Sequence, residues 1–123
     1  MKRILIVDDE RDVCLVLKNI LEQHGLHADS YDNPILALEN FKAGLYDLLL
    51  LDIKMPEMDG IHLYEAMKEI DIKIKVCFLT ASEMYREEVR KSEGFPELDK
   101  DLFLRKPIKN EDLINEITRI MNS

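Results

Sequence analysis

The chain has 123 residues, a hydrophobic share of 46%, a charged share of 34% and a formal net charge of −8 at pH 7. That length suits one hydrophobic core and is short for two. No stretch approaches the roughly 18 apolar residues of a membrane span. The opening Met1-Lys2-Arg3, followed by four apolar residues and then acids, is too brief for a signal-peptide core, so a cytoplasmic location is expected. The acidic balance should repel nucleic acid and anionic membranes. The adjacent basic pairs Lys2-Arg3, Arg90-Lys91 and Arg105-Lys106 are too scattered to form a patch.

In chain order, strands and helices alternate five times. Arg3 to Val7 is a short β-branched and leucine run, the first strand. From Arg11 to His24 the residues Val13, Val16, Leu17, Ile20 and Leu21 recur at helical spacing, and Gly25 stops the helix. Leu26 to Tyr31 suits a second strand. Asn33-Pro34 caps and opens a second helix that ends near Gly44. Leu48 to Leu51 is an unbroken leucine run, as in a central parallel strand covered on both faces. After Met55-Pro56 and Asp59-Gly60, a third helix carries Leu63, Ala66, Met67 and Ile70 on one stripe. Ile74 to Leu79 is the fourth strand, followed by a helix around 84–92, an irregular stretch through Phe95-Pro96, and a short fifth strand at Leu102 to Leu104. Asn110 caps the last helix, whose apolar stripe is Leu113, Ile114, Ile117, Ile120 and Met121.

Repeated strand–helix units with right-handed crossovers give parallel strands and a three-layer, doubly wound α/β sandwich. In such sheets function gathers at the carboxyl ends of the strands, above all where strand order reverses. Asp8 and Asp9 follow the first strand and Asp52 ends the third, so adjacency of those strands would bring the acids into one crevice. Converging carboxylates repel unless a cation or protons intervene, and hard oxygen donors with room for water suit Mg²⁺. Taken alone, Asp8-Asp9-Glu10 suits a helix N-terminus equally well. Thr80 after the fourth strand and Lys106 after the fifth tip the balance. A hydroxyl, an ammonium and the Ala81 N–H around a carboxylate are groups that hold phosphoryl oxygens. Asp52 can itself be the nucleophile and form an aspartyl phosphate.

Over nearly its whole length the chain resembles the receiver domain of two-component response regulators, of the chemotaxis-regulator kind. The resemblance is carried by Ile4-Leu5-Ile6-Val7-Asp8-Asp9-Glu10, by Leu51-Asp52-Ile53-Lys54-Met55-Pro56-Glu57-Met58-Asp59-Gly60, by Leu79-Thr80-Ala81 and by Lys106-Pro107. It implies one receiver domain over 1–123, with a flavodoxin-like five-stranded parallel sheet in the order 2-1-3-4-5. It further implies Asp52 as phospho-acceptor, Mg²⁺ held directly by Asp9, Asp52 and the Lys54 main-chain carbonyl, and Asp8 acting largely through water. Thr80, Ala81 and Lys106 would contact the phosphoryl group, Phe103 would be the switch aromatic, and the peptide before Pro107 would be cis. The donor would be a histidine kinase or phosphotransfer protein and the receiver of the signal an output protein or domain. The domain itself would be a switch, not an enzyme.

The segment between Thr80 and Lys106 departs from the family: it is longer, and Leu98-Asp99-Lys100-Asp101 replaces a usual Gly-Ala pair. The output surface is expected on the face made by the helix at 84–92, the fifth strand and the last helix. A flavodoxin-type cofactor carrier is disfavoured because Asp8-Asp9-Glu10 would repel the cofactor phosphate. A phosphohydrolase with an Asp nucleophile is separated from a switch by sustained turnover, and a P-loop is absent. Cys14 and Cys77 lie far apart in apolar-periodic segments and read as buried, reduced thiols. His24, His27 and His62 are scattered and carry no metal or catalytic pattern.

Overall fold

Apolar residues alternate toward two faces along each central strand, and helices cover both faces. The computed structural model describes residues 2–80, 103–106 and 108–122, with only the backbone of Thr80, Phe103 and Arg105. The strands are β1 (Arg3–Val7), β2 (His27–Tyr31), β3 (Leu48–Asp52), β4 (Lys75–Thr80) and β5 (Phe103–Arg105). The helices are α1 (Arg11–Gln23), α2 (Pro34–Asn40), α3 (Gly60–Ile70) and α4 (Asn110–Met121). All strand pairs are parallel and the order is β2-β1-β3-β4-β5, the doubly wound arrangement expected. The expected helix around 84–92, and the peptide before Pro107, lie outside the described residues.

The alternation sorts the core into two halves. Leu5, Val7, Leu49, Leu51, Val76 and Phe78 face α2 and α3, meeting Ala37, Leu63, Tyr64 and Met67. Ile4, Ile6, Leu48, Leu50, Cys77 and Leu79 face α1 and α4, meeting Leu17, Leu21, Leu113 and Ile117. The leucine run therefore divides two by two between the faces, which is why it carries no polar interruption. No helix among the described residues is long and apolar enough to cross a membrane.

Local chemistry sets the element ends. The Asn33 side chain accepts the Ile35 and Leu36 N–H groups at 2.8 and 3.1 Å, and Pro34 opens α2. Asn33→Ala is expected to lower stability by about 1 kcal/mol, readable in a urea melt, because two helix N–H groups lose their acceptor. Gly25 takes the left-handed backbone (φ 79) that stops α1. The structure shortens α2, which ends at Asn40 and not near Gly44, where Phe41 turns extended and buries its ring. It also recentres α1: Cys14, Leu17, Ile20 and Leu21 are buried, whereas Val16 is 58% exposed. Lys109, not Asn110, precedes the first turn of α4, and it makes no side-chain cap.

Candidate functional site

The order β2-β1-β3 means that the chain leaves β1 toward one side through α1 and returns on the other side as β3 through α2. The crevice at the carboxyl ends of β1 and β3 lies at that reversal. Val7 pairs with Leu51, so the residues one step beyond, Asp8 and Asp52, stand side by side. Asp9 completes a group of three carboxylates whose oxygens lie within 4.8 Å of one another.

The three acids have different surroundings. Asp8 is almost wholly buried, at 1% exposure. Its Oδ1 accepts the Glu10 N–H at 2.9 Å, and its Oδ2 accepts from Lys106 Nζ at 2.7 Å. It thus supplies the α1 N-terminus with the acceptor that Glu10 does not provide. Asp9 is exposed, and Asp52 is buried at 6% exposure. Lys106 reaches between the two strands, with Nζ also 3.5 Å from Asp52 Oδ2.

Charge follows from this placement. Burial pushes the Asp52 carboxyl up to about 7, the Asp8 charge adds to the rise, Lys106 opposes it, and a hydrogen bond and charge from Asp9 raise it further. Burial alone would lower the Lys106 ammonium, but the Asp8 hydrogen bond and the charges of Asp52, Asp8 and Glu10 outweigh it and raise it. The site is an acidic crevice with an internal counter-cation. Its donors are all hard oxygens, a set that fits Mg²⁺.

Residues other than the three acids and Lys106 shape the site as well. The Cys14 thiol donates to the Asp8 carbonyl at 3.1 Å. Burial and the Asp8 charge push that thiol up to about 11, so it keeps the proton it donates. After Asp52 the chain makes a tight turn in which the Met58 N–H donates to the Pro56 carbonyl at 2.8 Å. Glu57 at its centre is the sole non-glycine with positive φ (72°) among the described residues, a strained position of the kind found beside functional sites. The loop closes where the Gly60 N–H donates to the Ile53 carbonyl at 2.7 Å. Composition could not single out Cys14 or Glu57; Gly60 was visible as part of a turn and as the last residue of the motif around Asp52, with no role of its own.

Of the residues expected at the site, Asp8, Asp9, Asp52 and Lys106 are brought together. Lys54 lies two residues past Asp52 in the loop, its side chain exposed. Thr80 ends β4 opposite Arg105, and Phe103 opens β5 opposite Phe78. The side chains of Thr80 and Phe103, and Ala81 as a whole, lie outside the described residues. Each histidine has a local partner: His24 Nδ1 with the Ile20 carbonyl (2.9 Å), His27 with Asp29 (3.3 Å) and His62 with Asp59 (2.8 Å).

A doubly wound sheet with this acidic crevice defines a class of α/β protein, and comparison with known proteins narrows it. Residues 4–118 match the model of the response regulator receiver domain. The chain belongs to that family. It is 36% identical over 121 residues to the response regulator receiver protein CpdR of Brucella abortus, covering 98% of each. It is 34% identical over 121 residues to the transcriptional regulatory protein PcoR of Escherichia coli, covering 98% of this chain but 52% of that protein. The chain thus spans about half the length of such transcriptional regulators. Among solved structures, the response regulator TrrA of Thermotoga maritima in complex with Mg²⁺–BeF is 32% identical, with a TM-score of 0.81 and 98% and 99% of the two chains covered. TrrA in complex with the histidine kinase ThkA aligns at 31% identity with a TM-score of 0.79, covering 98% of each chain.

Proposed function

We propose that residues 1–123 form a single receiver domain that accepts a phosphoryl group on Asp52 and, in that state, changes which partner it binds. The observation that carries this reading is the convergence of Asp8, Asp9, Asp52 and Lys106 at the ends of three different strands. In the transfer step an Asp52 carboxylate oxygen attacks the phosphorus of a phosphohistidine. The new O–P bond forms as the N–P bond breaks, and the imidazole leaves with the electron pair.

Asp9, Asp52 and the Lys54 main-chain carbonyl would hold Mg²⁺, with Asp8 acting through water, because both Asp8 oxygens already accept protein hydrogen bonds. When bound, the ion supplies charge neutralisation for the entering phosphoryl oxygens. The Lys106 ammonium, 3.5 Å from Asp52, meets another of those oxygens. Thr80 and Ala81 would supply the other phosphoryl contacts, and Phe103 would be the switch aromatic. Donation by a histidine kinase or phosphotransfer protein fits the complex known for TrrA, and an output protein or domain receives the signal. The domain is a cytoplasmic switch, not a turnover enzyme, and its net charge of −8 argues against direct nucleic-acid binding.

Incubation with a small acyl phosphate and Mg²⁺, followed by mass spectrometry and peptide mapping, tests the reading. The mass of one phosphoryl group is expected on the peptide holding Asp52, and its uptake should stop when EDTA removes the ion. Label on another residue, or uptake at the same rate in EDTA, would mean that the site has been misread.

A further inference from the structure

Gly60 is the first residue of α3, a place where glycine does nothing for the helix, since it costs more backbone entropy there than almost any other residue. Nor is its backbone left-handed: among the described residues the glycines with positive φ are Gly25 and Gly44. The reason for a glycine is space. A Cβ at this position would lie 2.1 Å from the Asp52 carbonyl oxygen, 3.0 Å from the Asp52 carbonyl carbon and 3.1 Å from Ile53 Cα. All three are main-chain atoms, so no flexible side chain can yield to make room.

The contact is anchored on both sides. The Gly60 N–H donates to the Ile53 carbonyl at 2.7 Å, while the Ile53 N–H reaches the Leu79 carbonyl on β4 at 3.3 Å. On the helix side, the Asp59 carboxylate accepts the His62 N–H at 2.8 Å and fixes the first turn. The main chain at Asp52 and Ile53 is therefore clamped between β4 and α3. A carboxylate one carbon from that main chain points where the clamp directs it.

We propose that Gly60 is a positioning residue for the acidic site: the missing side chain lets α3 close onto the Asp52 main chain, and this contact fixes the place of the Asp52 carboxylate. The inference rests on the reading of Asp52 as the acceptor and deepens it. It also has a reciprocal consequence. If the contact holds Asp52 where a divalent cation binds, the cation must tighten the contact by the same factor.

The first measurement uses the unaltered protein. Saturating Mg²⁺ is expected to slow hydrogen exchange of the Gly60 amide by about tenfold more than that of the Gly44 amide. Gly44 is a suitable control because its N–H is also hydrogen-bonded, to Asp71 at 3.0 Å, in the loop that enters β3 at the other end of the sheet. Equal slowing of the two amides overturns the proposal.

The second measurement compares Gly60→Ala with Met67→Ala, which truncates a fully buried side chain on the same helix. Both should lower the melting temperature. At a temperature where circular dichroism shows each folded, Gly60→Ala is expected to weaken Mg²⁺ binding in calorimetry by about fivefold or more. It should slow phosphoryl uptake by about tenfold or more. Met67→Ala should keep both within about twofold, because the truncated side chain does not touch the crevice. Equal losses in the two variants, or none in Gly60→Ala, overturn the positioning role. Should Gly60→Ala not fold, the exchange measurement decides. Unaltered protein that binds no Mg²⁺ and takes up no phosphoryl group sinks the functional reading itself. Binding and uptake with an unlinked Gly60 amide sink this inference alone.

Discussion

Asp52→Asn is expected to raise the melting temperature of the metal-free protein by about 5 °C or more at pH 8, and by less and less as the pH falls toward 4. Burial and the Asp8 charge hold the Asp52 carboxyl at about 7 in the folded chain, against 3.8 for an unperturbed group. Between those values the folded state keeps a proton that the unfolded state has released, so stability declines as the pH rises through the window. Above about pH 7 the wild-type fold bears the whole cost of an ionised Asp52 beside Asp8 and Asp9. Asparagine never bears it. Below pH 3.8 both forms of the wild type are protonated at this position and the two proteins should converge. Millimolar Mg²⁺ should reverse the ranking, since a ligand of the native site stabilises it by mass action and the asparagine variant has lost a carboxylate ligand. Thermal melts between pH 4 and 8, with and without Mg²⁺ and with Na⁺ at matched ionic strength, check both parts. A gap that widens in acid, or an equal response to Mg²⁺ and Na⁺, would show that the three acids do not form a strained cation site.

The parts of this molecule that were legible in the sequence are those whose signal is local. Four leucines in a row can only be covered on both faces, and Asn33-Pro34 writes a helix start in two residues. The acids at strand ends followed once β1 and β3 were taken as neighbours, as they prove to be. What remained hidden depends on partners distant in sequence. The stripe on α1 was wide enough to admit either edge; Val16 fell on the solvent side because Cys14 and Leu17 point at the sheet. Nothing in Asp8-Asp9 says which acid is buried. That is decided by Lys106, 98 residues away, which pairs with Asp8 at 2.7 Å. The left-handed Glu57 has no residue-type signal at all, since its backbone is imposed by the anchored ends of the loop. Gly60 could be read as a turn former, yet its requirement comes from the Asp52 main chain pressed against it.

Lys106→Ala should lower stability in the metal-free state and recover much of it on adding Mg²⁺. Lys106 Nζ is the counter-cation of Asp8, which has 1% exposure and no access to solvent of its own. Removing one partner of such a pair leaves a buried carboxylate uncompensated, a loss of several kcal/mol for a fully buried pair. The Lys106 side chain keeps 20% exposure, so water can partly replace it, and about 2 kcal/mol is the discounted expectation. The pH dependence separates this effect from that of Asp52. Neighbouring carboxylates raise the Lys106 ammonium above its ordinary 10.5, so its contribution is present throughout the neutral range and lost only as the pH climbs past that value. The variant's deficit should nevertheless shrink toward pH 6: without the ammonium, Asp52 takes up its proton more readily and relieves the crowding itself. A divalent cation does the same job better, and in the variant it no longer competes with a resident charge. Calorimetry should therefore show Mg²⁺ binding tighter than in the wild type, together with a larger rise in melting temperature. Phosphoryl uptake should slow despite the tighter metal, because one oxygen of the entering group has lost its ammonium partner. A variant as stable as the wild type without metal, or one that binds Mg²⁺ more weakly, would mean that Lys106 is not the internal counter-ion of the crevice.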